Sequence, residues 1–227
     1  MRAGLITHFE TCSILNESQH GFRRNRSCLT QLIEHLDRVL RAVSEGDEVD
    51  VIYLDYQKAF DKVDHKVLVS KLRKYGVSGK LLEWISNFLK DRVQAVTVDQ
   101  VFSDFKEVLS GVPQGSVLGP VLFLVYVIDL ESSLKFSDAL TFADDTKIIK
   151  VIRGILDHSN LQEDLCNVVD WSVLNNMALH DEKFELVRYS PRSYNLLREL
   201  PFTSKHLVYS VLILYLCTYL YKTAVHC

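Results

Sequence analysis

No two cysteines in this sequence are spaced as Cys-x-x-Cys: Cys12, Cys28, Cys166, Cys217 and Cys227 stand apart, and the eight histidines do not gather. Those absences argue against a structural zinc site and a disulfide framework, and they fit a reducing compartment. An excess of positive charge is missing too. Lys and Arg number 26 against 29 Asp and Glu, a net charge of −3. Bulk charge therefore announces no nucleic-acid partner, and any basic surface has to be local. The opening "MRAGLITHFETCS" is too weakly apolar and too interrupted for a signal peptide. There is no internal repeat and no low-complexity tract. The longest apolar run, "LVYSVLILYLCTYLY" (207–221), is shorter than the roughly 20 residues of a membrane span. It is open to three readings: a buried tail, a small membrane anchor, or sequence foreign to the domain. No stable membrane association is expected.

What is present is material for one compact core: 227 residues, 48% hydrophobic. Residues 1–20 read as the end of a helix and a loop, followed by the basic cluster "RRNR" (23–26). Ser27 is placed to cap a helix that carries Leu29, Leu32, Ile33, Leu36, Val39, Leu40 and Val43 at helical spacing and ends at Gly46. "VDVIYLDY" (49–56) is apolar on both faces and reads as a central strand. Two short helices follow, "HKVLVSKLRKYG" and "KLLEWISNFLKD", then a strand pair, "RVQAVTV" and "DFKEVL". "GVPQGSVLGP" (111–120) is turn-rich and precedes a long apolar helix expected over 118–134. "ALTFADDTKIIKV" reads as strand, tight turn, strand. "LQEDLCNVVDWSVLNNM" is an amphipathic helix, and "FELVRY" (184–189) a last strand. The sum is an α+β fold of a few strands covered by helices.

The tight turn poses the chemical question. Asp144 and Asp145 are adjacent like charges in a strand-like context. An Asp-Asp at a hairpin tip escapes burial, and many such pairs are ordinary surface turns. Two carboxylates become useful when they face a hard divalent cation such as magnesium. A third would come from elsewhere. Asp55, at the end of "VIYL", is the best candidate, with Asp61 and Asp64 as rivals in the loop or helix beyond it. Asp55 and Asp144 on adjacent strands would hold two ions a few ångströms apart, one activating a hydroxyl and the other steadying a leaving oxygen.

Four stretches occur in order: "QHGFRRNRSC" (19–28), "YLDYQKAFDKVDH" (53–65), "SGVPQGSVLGPVLF" (110–123) and "FADDTK" (142–147). Together they resemble the reverse transcriptases of non-LTR (LINE-type) retrotransposons, over most of residues 10–190. The resemblance implies a right-hand polymerase palm, a small antiparallel sheet packed on helices, with partial fingers in 1–48, a palm in 49–190, no clear thumb, and a divergent tail in 191–227. It implies RNA-directed DNA synthesis with two Mg2+ ions (Mn2+ as a substitute), an RNA template, a DNA primer and deoxynucleoside triphosphates. A nuclear or cytoplasmic location follows from the family alone.

By the same resemblance Asp55, Asp144 and Asp145 are metal ligands. Phe60 is the aromatic that excludes a ribose 2′-hydroxyl, unless it is an ordinary core ring. "PQG" (113–115) holds the incoming nucleotide, with Gln114 on the nucleotide or the template strand, and Gly111, Gly115 and Gly119 allow close backbone approach. Arg23, Arg24 and Arg26 contact template phosphates, or form a solvated basic loop. Lys183 protonates the leaving pyrophosphate, although "HDEK" (180–183) departs from the family's Asn-x-x-Lys. Little precedes "QHGFR" that would grip a triphosphate, and no thumb is visible. The chain is therefore expected to be weakly active or inactive, with a non-catalytic relic that binds RNA or a protein as the alternative.

Overall fold

The computed structural model describes residues 2–191. The run 207–221 lies outside them, as does nearly all of the tail expected over 191–227. Its elements are α1 (Arg2–Thr11), α2 (Cys28–Ser44), β1 (Glu48–Leu54), α3 (His65–Lys74), α4 (Gly79–Leu89), β2 (Val93–Gln94), β3 (Thr97–Val98), β4 (Val101–Phe102), β5 (Lys106–Glu107), α5 (Gly119–Val127), β6 (Asp138–Phe142), β7 (Asp145–Ile152), α6 (Ile155–Leu174) and β8 (Glu185–Tyr189). Among the described residues no helix is long and apolar enough to cross a membrane.

A four-stranded antiparallel sheet, in the order β6-β7-β1-β8, is the platform. Alternation along β1 explains why its sequence is apolar throughout. Val49 and Val51 join Leu140, Ile149, Val39 and Ala42 in a small cluster beneath α2. Ile52 and Leu54 face the main core with Phe9, Leu68, Leu72, Ile85, Phe123, Ile148 and Val168, contributed by α1, α3, α4, α5, β7 and α6. Each large aliphatic side chain buried this way contributes roughly 1.5–3 kcal/mol. One charge shares the core-facing side of β1. Asp50, 1% exposed, receives the Arg188 guanidinium through two bonds of 2.7 Å. That paired fork is what makes its burial tolerable.

Ser27 caps α2 as its sequence predicts, accepting from the Thr30 N–H while Thr30 Oγ1 accepts from the Ser27 N–H. The helix turns Gln31, His35, Val39 and Ala42 inward and leaves Leu29, Leu32, Ile33, Leu36 and Leu40 exposed. The expected strand pair is an interrupted hairpin of four short strands between Val93 and Glu107, β2 with β5 and β3 with β4, turning at Asp99 and Gln100.

Two boundaries differ from the sequence expectation. The apolar helix stops at Val127, well short of 134. Side chains from elsewhere take the carbonyls there: Asn16 Nδ2 donates to Ile128 O at 2.8 Å, and Lys71 Nζ to Tyr126 O and to Asp129 Oδ1. The helix α6 starts at Ile155, six residues before Leu161. Ile155 and Leu156 are exposed, so its first turn carries no amphipathic signal. Asp157 Oδ2 fixes that turn by accepting from the N–H groups of Arg153 and Gly154.

Candidate active site

Strand register brings the three acidic positions together. Leu54 of β1 pairs with Thr146 of β7, and Phe142 of β6 pairs with Asp145. Asp55, one residue beyond Leu54, and Asp145, one before Thr146, thus stand at the same end of neighbouring strands. Opposed residues of such a pair lie about 4.5–5.5 Å apart at Cα. Asp144 occupies the turn beside them, half-buried, while Asp145 is exposed. Burial first, and then the negative charges of Asp145 and Asp55, push the Asp144 carboxyl above its ordinary value. This is a cluster of like charge with incomplete compensation.

Part of that charge is answered from α6's far side. The chain returns beside Asp55 through His180 N–H to Asp55 O, 2.8 Å, and Gln57 N–H to Ala178 O, 2.9 Å. That return carries Lys183, whose Nζ donates to Asp55 Oδ2 at 2.5 Å. Lys183 therefore meets the carboxylates, despite the departure of "HDEK" from the family pattern. Among the described residues no group of three or more His, Cys, Asp or Glu side chains is already arranged to hold a metal ion. The rival acids have other work. Asp61 Oδ1 accepts from Gln114 Nε2 at 2.9 Å, and Asp64 caps α3 through the N–H groups of Lys66 and Val67.

Phe60 is stacked on Phe123, with centroids 4.3 Å apart, and meets Phe22 edge-on, so its ring is seated against the core. Gln114 and residues 110–113 line a cleft of about 520 Å3 that also touches Asp61, Arg92, Gln94 and Glu107. Gly115, at φ +76, has open space where a Cβ would be. Gly111 and Gly119 serve the chain itself. A Cβ on Gly111 would come 2.9 Å from the backbone of Asp61, and one on Gly119 2.8 Å from Pro113 O.

The three arginines are not equivalent. Arg23, with its side chain 10% exposed, donates to Asn16 O at 2.6 Å. Arg26 pairs with Glu17 and lies 3.6 Å from Glu34. Arg24 is the exposed member.

Sequence reasoning missed the support under the turn. Residues 18–20 run beside β6, with Thr141 N–H donating to Ser18 O at 2.9 Å and His20 N–H to Thr141 O at 2.8 Å. Gln19 and Gly21 then reach Ala143 itself. A Cβ on Gly21 would sit 2.3 Å from Ala143 N. The only sequence signal was the glycine in "QHGF", which reads equally well as loop.

A family model described as reverse transcriptase (RNA-dependent DNA polymerase) matches residues 3–207. The chain belongs to the reverse transcriptase family. The match extends at both ends past the 10–190 over which its motifs are legible. Similar curated relatives place this reverse transcriptase with those of non-LTR mobile elements. The RNA-directed DNA polymerase from mobile element jockey of Drosophila melanogaster is 30% identical over 83% of this chain and 21% of its own length. The probable RNA-directed DNA polymerase from transposon BS of the same species is 33% identical over 60% of this chain and 16% of its own. The chain thus spans about a fifth of such relatives. Among solved structures, telomerase from Candida tropicalis in complex with a fragment of telomeric RNA superposes with a TM-score of 0.63 at 11% identity. It covers 92% of this chain and 34% of that one. The shared fold is the α+β palm of right-hand polymerases.

Proposed function

We propose that this reverse transcriptase chain extends a primer 3′-hydroxyl with deoxynucleotides along an RNA template, as the polymerase module of a mobile element. The observation that carries the reading is the register Leu54↔Thr146, which brings Asp55 to the turn bearing Asp144 and Asp145. Residues 49–190 would then be the palm and 1–48 part of the fingers.

The donor chemistry fits a hard divalent cation. All three side chains offer carboxylate oxygens, and Asp144, raised by burial first and then by the charges of Asp145 and Asp55, would be relieved by a cation. Asp55, Asp144 and Asp145 would hold two Mg2+ ions, with Mn2+ able to replace them. Bound there, the ions would favour loss of the primer hydroxyl proton and neutralise charge on the departing pyrophosphate. In the transfer, the primer 3′-oxygen bonds to the α-phosphorus as the bond to pyrophosphate breaks. Lys183, now on Asp55 Oδ2, would compete with a cation for that carboxylate. Freed, its ammonium is a proton donor for the leaving pyrophosphate. Phe60, held flat by Phe123, would close the space beside the sugar's second carbon and so favour deoxynucleotides. Gln114 and Gly115 would border the incoming nucleotide at the cleft. Arg24 is the readiest phosphate contact of the three arginines. Arg23 and Arg26 would act through the loop they brace.

The test is primer extension on an RNA template with Mg2+ and deoxynucleoside triphosphates, comparing the unaltered chain with Asp144→Asn. Synthesis that the variant lacks, even if weak, is the expected result. Equal synthesis by both refutes the reading.

A further inference from the structure

The β6–β7 turn depends on an unfavourable backbone. Ala143 sits at φ +58, a left-handed conformation that disfavours residues with a Cβ. The compensation comes from Gln19, 124 positions away and 6% exposed. Gln19 Oε1 accepts from Ala143 N–H at 2.9 Å and from Gly21 N–H at 2.7 Å, and its Nε2 donates to Ala143 O at 3.4 Å. One amide thus holds both peptide units that flank Ala143, the second of which leads into Asp144. The orientation of that peptide sets the direction in which the Asp144 side chain leaves the backbone.

We propose that Gln19 is a positioning residue for the acidic cluster, whose amide fixes the Ala143 peptides so that Asp144 is presented to a divalent cation. This rests on the metal reading above. The chemistry selects an amide. The task needs an acceptor for two N–H groups and a donor for a carbonyl on one buried side chain. Leucine offers neither. An ionised glutamate would set its second oxygen against Ala143 O. Gln19 lies behind the turn, buried, and so acts through Asp144 without touching substrate. Gly21 completes the device, because only a residue without a Cβ lets residues 19–21 pass this close to Ala143 N.

The experiment is Mn2+ titration of the full chain, followed by electron paramagnetic resonance, with amide exchange of Ala143 and thermal melting in parallel. Gln19→Leu removes the bonds. Gln19→Glu is isosteric, keeps the acceptor for the two N–H groups, and serves if the leucine variant does not fold. Ile85→Val, in α4 and away from the turn, is the control for general destabilisation. Supporting partners of metal ligands typically contribute about 10–100-fold in affinity. The expected result is Mn2+ binding by the unaltered chain, weakened at least tenfold in the folded Gln19 variant with faster Ala143 exchange, and unchanged in Ile85→Val. Unweakened binding in a folded Gln19 variant, or equal weakening in Ile85→Val, overturns the proposal and leaves the metal reading standing. No Mn2+ binding by the unaltered chain, or binding that Asp144→Asn retains, refutes the metal reading and this inference with it.

Discussion

Replacing Asp144 with asparagine should stabilise the protein while removing its function. Asp144 is half-buried, and its carboxyl is raised by burial and by the charges of Asp145 and Asp55. A raised pKa means that stability is fully present below the unfolded value of 3.8 and is lost as pH rises through the folded value. At pH 7 the whole penalty applies. Two carboxylates about 6 Å apart repel by roughly 0.7–1.4 kcal/mol at effective dielectric constants of about 80–40. Lys183 already offsets much of Asp55's charge, so about 1 kcal/mol is the expected gain for Asp144→Asn. In a protein of this size that is a rise in Tm of about 2–4 °C. The assay is thermal melting of both chains at pH 7 without divalent ions, at pH 3.5, and at pH 7 with Mg2+. The difference should vanish at pH 3.5. A ligand at about ten times its Kd stabilises by roughly 1.4 kcal/mol. Mg2+ should therefore raise the unaltered chain and not the variant, cancelling or reversing their order. A variant that melts below the unaltered chain without metal, or that responds equally to Mg2+, would show that Asp144 carries no charge penalty for a cation to relieve.

Other consequences follow from the same arrangement. Lys183→Met should free Asp55 and tighten Mn2+ binding by up to about fivefold, the scale of an exposed ion pair, while slowing primer extension; weaker binding would contradict the competition between lysine and cation. Arg188→Met strands the buried Asp50 carboxylate and should cost about 3 kcal/mol in urea unfolding, at the lower end for such pairs because Arg188 is partly exposed and His158 stands 3.7 Å away; a loss below about 1 kcal/mol would show that water reaches Asp50. Burial is the main cause that holds His20 and His35 below their ordinary 6.5, so their protonation opposes folding. The stability they allow is present above pH 6.5 and is lost as pH falls through their lower folded values, so Tm should drop between pH 7.5 and 5.5; a flat profile would refute it.

The sequence made the strands, the helix caps and the acidic positions readable, because each has a local cause. The β1 pattern, the Ser27 cap and the Asp-Asp tip are all visible within a few residues. Long-range causes were not visible. The end of α5 at Val127 is decided by Asn16 and Lys71, which bond carbonyls and a carboxylate far along the chain. The inward face of α2 holds Gln31 and His35 beside Val39 and Ala42, while its leucines stay outside, since Gln31 meets Lys147 of β7 and His35 meets Tyr189 of β8. The ion pair between Lys183 and Asp55 joins residues 128 apart. Gln19 opens the "QHGFRRNRSC" stretch without a role of its own there, and the bonds to Ala143 give it a part in the site.

The proposed chemistry needs divalent cations held between the end of β1 and the β6–β7 turn. A crystal soaked in Mn2+ and measured at the manganese edge tests it most directly. Anomalous density between Asp55 and Asp144, with Lys183 Nζ displaced from Asp55 Oδ2, is the expected result. Manganese bound only elsewhere, with Lys183 still on the Asp55 carboxylate, would contradict it.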